Sequence, residues 1–503
     1  MTSSPVFDLI VRMFAASIVI HDALYVCRDG FRHLSFGFLP VFGLRLGPAA
    51  KLSLHAALLL CCVALMVAPT FLVLYPILLA LVSLKVASYA LRLSNHMIMA
   101  WYVSLILTAT IPISLYLGKD IYRYLFIDSV RYIVIILYFF AFFHKLNAEY
   151  LDIKKSCATA FVDFFCDDRG VKRPGLVTGH RYFGVYGTLV IEATLPILLF
   201  FEQTRPIGFM AAIIFHYVLG LMGIINFSMF MYTGLVAFLP AATLVGSVQL
   251  VAEARWAQAL LAALAASLVA ISIRWTPRRA AAHCPYRHRM PAWVIQIGFA
   301  ILTAALLFVG GVWTATGAVA PLDWRDWPAP AQVALALIIA GFLANGFSPY
   351  LGTKTEFSFA MFSNLRIEPW THLVVPGRWR LLRPSAYVEV KAIAGLPRPE
   401  AARGDKGAEL ALEVLSHPDR YLYSRYFFRE GLLLLQRLLP PGGAISVQYV
   451  ENGKARTLSC VDGDQLGPCL RMTRFPFVMP RNPDARHSEQ GAILVAGRER
   501  QLF

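Results

Sequence analysis

Eleven long apolar runs are the feature of this sequence that most constrains its fold. Each run has roughly 17–25 residues, which is the length that an α-helix needs to cross a bilayer. We place the runs at about residues 5–27, 52–68, 70–91, 96–117, 125–145, 182–201, 206–222, 226–248, 257–274, 293–317 and 331–347. They predict an all-α polytopic membrane bundle of about eleven spans over residues 1–347.

Composition excludes the other broad classes. Of the 503 residues, 58% are hydrophobic and 15% are charged, which fits neither a soluble globular chain nor a disordered one. Eight cysteines are too few for a secreted disulfide scaffold. The N-terminus lacks the charged region and the cleavage site of a removed signal peptide, so we interpret it as the start of the first span.

The composition changes after Phe347, where Gly, Pro, Arg and Asp become frequent. Segments of alternating polarity, which predict short strands, lie at 386–393, 443–461 and 492–503. Asn452-Gly453 predicts a hairpin turn, and residues 424–439 predict a helix. We therefore expect a small C-terminal α+β soluble domain over residues 348–503.

Positive charge predicts the orientation. The net charge is +16, and Lys and Arg concentrate in loops 28–51, 146–181 and 275–292. With eleven spans these loops and the C-terminal domain fall on one side, which the positive-inside rule assigns to the cytoplasm. No DNA or RNA motif accompanies the charge, so we expect the lipid membrane and no nucleic acid as a partner.

Four titratable residues lie within the apolar runs, and their presence there must be explained, because insertion of a charged side chain into a membrane costs about 2.5–3.5 kcal/mol. They are His96, Lys145, Glu192 and His216. Lys145 ends a very apolar run, and one interpretation is that its amine reaches for lipid headgroups. The other is a buried amine that has lost its charge and acts as a general base.

The remaining three also have structural alternatives. A lone histidine in a helix is more often a packing residue than a catalyst, and Glu192 could clamp two helices ahead of Pro196. Counting spans alternately, however, places His96, Lys145 and His216 toward the membrane face that carries the basic loops. Side chains that share a face can line one cavity there.

Three segments resemble the HTTM-domain family, which includes the vitamin K-dependent gamma-carboxylases. They are FFHKLNAEYL (142–151), SNHMIMAWYVSLILT (94–108) and FHYVLGLMGIINFSMFMYTGLVAF (215–238). The resemblance covers roughly residues 5–280, and their order and spacing agree with the family. His144 departs from it, since carboxylases tend to have another Lys there. Residues 348–376 are similar to bacterial HTTM proteins, which implies a bacterial inner membrane.

The resemblance implies an activity and its residues. Lys145 would be the base that deprotonates reduced vitamin K (a menaquinol-like quinol), and His96 and His216 would assist as catalytic residues. The family reaction uses O₂ and CO₂ and carboxylates glutamate in a peptide or protein, a lyase-type carbon–carbon chemistry. The substrate-binding residues that we expect are Asn95, His144, Glu192 and Asn226.

Two other hypotheses stay open. The chain could be a non-catalytic membrane carrier or scaffold, or a relative whose chemistry has been lost, because fold does not fix function. A transporter should carry polar residues along the whole depth of several spans, whereas the titratable residues here cluster toward one face. No CxxC, HExxH, P-loop or GxGxxG motif occurs, so we predict no metal site.

Overall fold

The structure of the chain is a computed structural model. It describes residues 4–29, 46–89, 95–117, 121–168, 170–171, 173–275, 291–318, 327–353, 358–360, 363–366, 370–381, 387–403, 406–418, 422–451 and 453–460. The predicted strand at 492–503 lies outside these residues, as do Arg32 and Arg45 of the first basic loop.

Helices make up the membrane part. In chain order they are α1 (Ser4–Asp29), α2 (Pro48–Val67), α3 (Leu74–Tyr89), α4 (Asn95–Leu117), α5 (Ile121–His144), α6 (Ala148–Leu151), α7 (Cys157–Asp168), α8 (Pro174–Tyr182), α9 (Thr188–Phe200), α10 (Arg205–Leu221), α11 (Ile225–Val236), α12 (Ala241–Glu253), α13 (Arg255–Trp275), α14 (Pro291–Thr316) and α15 (Ala329–Gly346). A π-helical turn at Phe183–Gly187 joins α8 to α9. Every predicted apolar run thus contains helix, and the chain is a multi-pass helical membrane protein.

The expected count of about eleven spans is not confirmed. Among the described residues, seven helices are long and apolar enough to cross a membrane, or eight if one bent pair counts as a span. The bent pair is α11 and α12, whose axes meet at 107° where we predicted one run at 226–248. Two more apolar helices, α3 and α10, are shorter than a full span.

The bend between α11 and α12 has a local cause. Pro240, which precedes α12, has no N–H to continue the helix of α11. The buried guanidinium of Arg131 donates from Nε to the carbonyl of Ala237 at 2.6 Å, so the break does not leave that acceptor unpaired. A proline such as Pro240 can mark the end of a helix in a sequence. The residue that bonds to the freed carbonyl, Arg131, lies on α5, so the sequence around the bend does not reveal it.

Helix α5 is the centre of the bundle. Its apolar window is 78% buried, against 11% for α13, which is far more exposed. It packs on α4, α9, α11 and α15. The end of α5 lies beside the end of α15, where the rings of Phe140 and Phe347 are 5.0 Å apart. We call the membrane face at which α5 ends the site face.

A second, separate core belongs to the C-terminal part. It contains an antiparallel sheet in the order β2-β1-β3-β4, with β1 (Tyr387–Ala394), β2 (Leu422–Ser424), β3 (Ile445–Glu451) and β4 (Lys454–Cys460). Helices α17 (Pro399–Ala402), α18 (Lys406–Leu415) and α19 (Arg425–Gln436) accompany it. Glu451 pairs with Lys454, which confirms the hairpin predicted at Asn452-Gly453, and Gly453 has a φ of 73°.

The segment 348–381 precedes this sheet, and its described residues contact the membrane bundle. A short helix, α16 (Ser348–Leu351), follows α15 directly. Farther on, Asn147 and His372 form an isolated antiparallel bridge, and the Leu373 N–H donates to the Leu146 carbonyl at 2.9 Å. After α15, the chain therefore returns to the loop that follows α5 before the sheet begins at Tyr387.

Candidate functional site

Lys145 lies at the C-terminal end of α5 and is buried, with 3% of its surface exposed. Its Nζ is 2.7 Å from Glu192 Oε2 on α9 and donates to the Ala141 carbonyl at 3.2 Å. The ring of Tyr150 lies 5.6 Å from the same nitrogen. The amine points into the protein, so the interpretation that it reaches for lipid headgroups does not describe it.

The loop after α5 completes the surroundings of this ion pair. The Asn147 side chain caps α6 by accepting from the Tyr150 N–H at 2.9 Å, which places Tyr150 beneath Lys145. Burial and the nearby Glu192 carboxylate raise the pKa of Tyr150 well above its ordinary value. Burial likewise raises the pKa of the Cys157 thiol to about 12. Both groups stay neutral, so the Lys145–Glu192 pair is the charged pair of these surroundings.

His216 forms a separate pair. Its Nε2 is 2.7 Å from the Tyr138 hydroxyl, and its ring is 5.6 Å from that of Phe227. Nδ1 of this buried ring has no hydrogen-bond partner among the described residues. Tyr138 precedes Lys145 on α5 by seven residues, about 10 Å along the helix. The pair therefore lies deeper in the bundle than the Lys145–Glu192 pair.

His96 belongs to a third cluster that the sequence reasoning missed. Its Nε2 is 2.5 Å from His21 Nδ1 on α1. The neighbouring Asp22 forms an ion pair with Lys85 of α3 and contacts His55 Nδ1 of α2 at 2.8 Å. His21, Asp22, His55 and Lys85 are ionisable residues within apolar runs, so the signal that singled out Lys145 could have found them.

An apolar cavity of about 30 Å³ lies among helices α1, α4, α5 and α11. Its wall includes Phe14 of α1, Met99 of α4, Leu137 of α5, and Phe227 and Phe230 of α11. The Phe230 ring is 6.0 Å from that of His96, and the Phe227 ring is 5.6 Å from that of His216. Neither histidine is part of the cavity wall.

His144 has a different environment from the one expected of a substrate-binding residue. Its Nδ1 is 2.9 Å from the Tyr350 hydroxyl, and its Nε2 is 3.0 Å from the Ser358 carbonyl. Both ring nitrogens therefore bond to the segment that follows α15. A substrate contact at His144 stays a prediction, and this geometry does not favour it.

The hydrogen bonds fix the protonation of this network. His372 Nδ1 accepts from the backbone N–H groups of Val374 and Val375, so its proton is on Nε2, which faces the Phe143 carbonyl and Tyr350. Burial lowers the pKa of His372, in keeping with a neutral ring. Tyr350 then donates to His144, and the C-terminal segment is attached to α5 by neutral groups.

Of the other two expected substrate-binding residues, the structure describes the side chain of Asn226 but not that of Asn95. Asn226 begins the first turn of α11 and is buried, and its Oδ1 has no hydrogen-bond partner among the described residues. Asn95 is the first residue of α4, and its side chain lies outside the described part. Across the described ranges, no group of three or more His, Cys, Asp or Glu side chains could hold a metal ion.

The structure thus brings Lys145 and Glu192 together but separates them from His216 and His96. Comparison of the chain with protein-family models, with curated proteins and with solved structures gives no match. The fold and the buried groups define a helical multi-pass membrane protein that holds ionisable clusters toward one face of its bundle.

Proposed function

We propose that the chain is an integral membrane enzyme resembling the vitamin K-dependent gamma-carboxylases of the HTTM family. Lys145 is its general base and deprotonates a quinol or a similar lipid-soluble substrate. The buried Lys145–Glu192 pair, with 2.7 Å between Nζ and Oε2, is the observation that carries this proposal. Perturbed ionisable groups in water-poor surroundings are where acid–base chemistry is found in enzymes.

The pair gives the amine a route to its basic form. When the Lys145 ammonium passes a proton to the Glu192 carboxylate, a neutral amine and a neutral carboxylic acid result. The amine then accepts the proton of the substrate hydroxyl and becomes an ammonium again. Apolar surroundings favour this transfer, because they penalise two separate charges more than two neutral groups.

The apolar interior of the bundle supports a lipid-soluble substrate. A small cavity of about 30 Å³ there has an aromatic and aliphatic wall, and the ring of His216, whose Nδ1 has no partner among the described residues, lies 5.6 Å from Phe227 of that wall. Reduced vitamin K, with O₂ and CO₂, supplies the base strength and the carboxyl group for glutamate carboxylation. In this proposal His216 and Tyr138 orient an oxygen, His96 assists, and the protein substrate approaches from the site face.

The proposal includes a location. We place the chain in a bacterial inner membrane with about eleven crossings, counting α1, the short helices α3 and α10, and the bent pair α11–α12 beside the seven long apolar helices. The site face and the C-terminal part then lie in the cytoplasm. A reporter fused after Phe503 that is active only outside the membrane would overturn this orientation.

The test uses full-length protein in nanodiscs with menaquinol, O₂, labelled bicarbonate and a Glu-containing peptide. We expect Lys145→Met and Glu192→Gln to lower label incorporation by about 10²–10⁴-fold, the range for a general base. Lys154→Met changes an exposed lysine in the loop that follows Lys145, and this variant should retain activity. Full incorporation by Lys145→Met would reject the proposal.

A scaffold is the second candidate, and one observation favours it. The Lys145–Glu192 pair joins α5 to α9, so it could serve only to hold the helices together. The double variant Lys145→Met/Glu192→Met distinguishes the scaffold from the enzyme, because apolar replacements of a buried ion pair are often neutral for stability. A scaffold keeps its bound lipid and partners in this variant, whereas the enzyme is stable and inactive.

A further inference from the structure

Residues 370–381, which we call the Trp379 loop, follow the helices of the membrane part but expose large apolar side chains. Trp379 is 66% exposed and Leu381 is 76% exposed. Leu373 and Val374, nearer the start of the loop, are also exposed. A cluster of exposed large apolar side chains marks an interaction surface.

The Trp379 loop is folded on itself, so these side chains do not belong to an extended tail. Trp370 Nε1 donates to the Val375 carbonyl at 2.6 Å. His372 Nδ1 accepts from the backbone N–H groups of Val374 and Val375. The guanidinium carbon of Arg380 lies 5.1 Å from the centre of the Trp370 ring. Polar groups of the loop thus bond within it, while its large apolar side chains remain on the surface.

The loop lies where a membrane-spanning helix ends. The Leu373 N–H donates to the Leu146 carbonyl at 2.9 Å, and Leu146 follows the last residue of α5 by two positions. Helix α5 has 24 residues, so it is about 36 Å long and crosses a hydrocarbon core of about 30 Å. The end of α5, and with it the start of the loop, therefore lies at the level of the lipid headgroups.

The loop also continues a surface that faces lipid. Phe139 of α5 is exposed within the span, so lipid covers its outer side. The ring of Phe143 stacks on that of Phe139 at 5.5 Å, and the His372 ring lies 5.0 Å from that of Phe143. Phe347, where α15 ends, is exposed as well. The loop is thus beside lipid rather than at the centre of the site face.

We propose that the Trp379 loop is an interfacial anchor that lies in the headgroup layer of an anionic bilayer on the site face. The indole of Trp379 suits this layer, because one end of it is apolar and the other carries an N–H. Val374 and Leu381 contact the upper part of the acyl chains, and the exposed Arg378 pairs with lipid phosphate.

A protein partner is the other occupant that such a surface could take. The level of the loop and its continuity with Phe139 favour the bilayer, which covers the adjoining surface of α5. The anchor goes beyond the proposed function, and it holds whether or not Lys145 is a catalytic base. Its consequence is that the C-terminal part starts close to the membrane, since Tyr387 of β1 follows Leu381 by six residues, about 20 Å of chain at most.

Depth-dependent fluorescence quenching tests the anchor without any turnover. A genetically encoded fluorescent amino acid replaces Leu381, whose exposure leaves room for it. The full chain is placed in nanodiscs of phosphatidylglycerol that carry a nitroxide either on the headgroup or near the end of an acyl chain. We expect the headgroup nitroxide to quench at least about twofold more strongly. The same amino acid at Leu60, an exposed residue within the span of α2, is the matched control and should show the opposite order.

Lipid charge and two variants complete the test. Replacing phosphatidylglycerol by phosphatidylcholine should lower headgroup quenching at position 381 at least about twofold, and Arg378→Gln should do the same in phosphatidylglycerol. Trp379→Ser, at an exposed side chain, should also lower it. Absence of quenching at position 381 would overturn the anchor and assign the loop to a protein partner. Stronger quenching from the acyl-chain end, equal quenching in the two lipids, or an unchanged signal in both variants would overturn it as well.

Discussion

The Lys145 region and the His96 cluster lie toward the same face but are built in different ways. The loop after Lys145 is held by residues far along the chain: Tyr350, Ser358 and Ser363 bond to His144 and Asn147 across 206 to 216 residues. The described ionisable residues of the His96 cluster come from the first four helices. Lys145 is therefore positioned by long-range polar contacts, and His96 by the packing of neighbouring helices. Variants can distinguish the two.

The largest effect should follow from breaking the Lys145–Glu192 pair. Lys145→Met leaves a buried carboxylate without its cation, and we expect a loss of about 3–5 kcal/mol in the free energy of unfolding. Adding Glu192→Met should recover most of that loss. Denaturant titration in mild detergent measures both. Equal stability of Lys145→Met and the wild type would show that the pair is not a buried ion pair in solution.

The second-largest loss of stability should follow from weakening the contact between the C-terminal segment and the loop after α5. Asn147→Ala removes the cap of α6 and two hydrogen bonds, to the His144 and Ser363 carbonyls. We expect a loss of about 1–3 kcal/mol, because buried carbonyls are left unpaired. Proteolysis of the segment 358–376 should also become faster. Asn226→Ala, at a side chain whose Oδ1 has no partner among the described residues, is the matched control and should leave proteolysis unchanged.

The same contact should depend on pH through His372. Because burial lowers the pKa of His372, the unfolded chain binds a proton at that residue more readily than the folded chain. The stability from this residue is present above the unfolded value of about 6.5 and is lost as pH falls through the lowered folded value. His372→Asn should flatten that part of the stability profile. An unchanged slope would contradict the neutral network.

The smallest effect should lie in the separate C-terminal core. Gly453 has a φ of 73°, where a side chain adds strain, so Gly453→Ala should destabilise the β3–β4 hairpin by about 1–2 kcal/mol. Since this core does not share residues with the Lys145 region, quinone binding and turnover should be unchanged. Hydrogen exchange of Val450 and Ala455 reports the local effect. Altered turnover would mean that the two regions are coupled.

The sequence predicted the helices of the membrane part well, because the length of an apolar run indicates whether it can form a helix that crosses the membrane. Local patterns also predicted β1, α19 and the hairpin between β3 and β4. The bend between α11 and α12 was not predicted, since it also depends on Arg131 of another helix, which bonds to the carbonyl at the break. Most helix ends were placed within a few residues, but the run predicted at 182–201 corresponds to an apolar helix that begins at Pro174.

The site was harder to predict than the helices. Burial cost singled out Lys145 and Glu192, but only the packing of α5 on α9 pairs them. The same reasoning would have found His21 and Lys85, although the sequence does not reveal that they join His96. The role of His144 depends on Tyr350, more than 200 residues later, which no local pattern indicates.

Chemical rescue of Lys145→Ala tests the central claim most directly. Carboxylation by this variant, in nanodiscs with menaquinol and a Glu-containing peptide, is measured with increasing methylamine. We predict that activity falls by about 10²–10⁴-fold and returns in part as the amine concentration rises, since the added amine replaces the missing base. Wild-type activity in the variant without any amine would contradict the account.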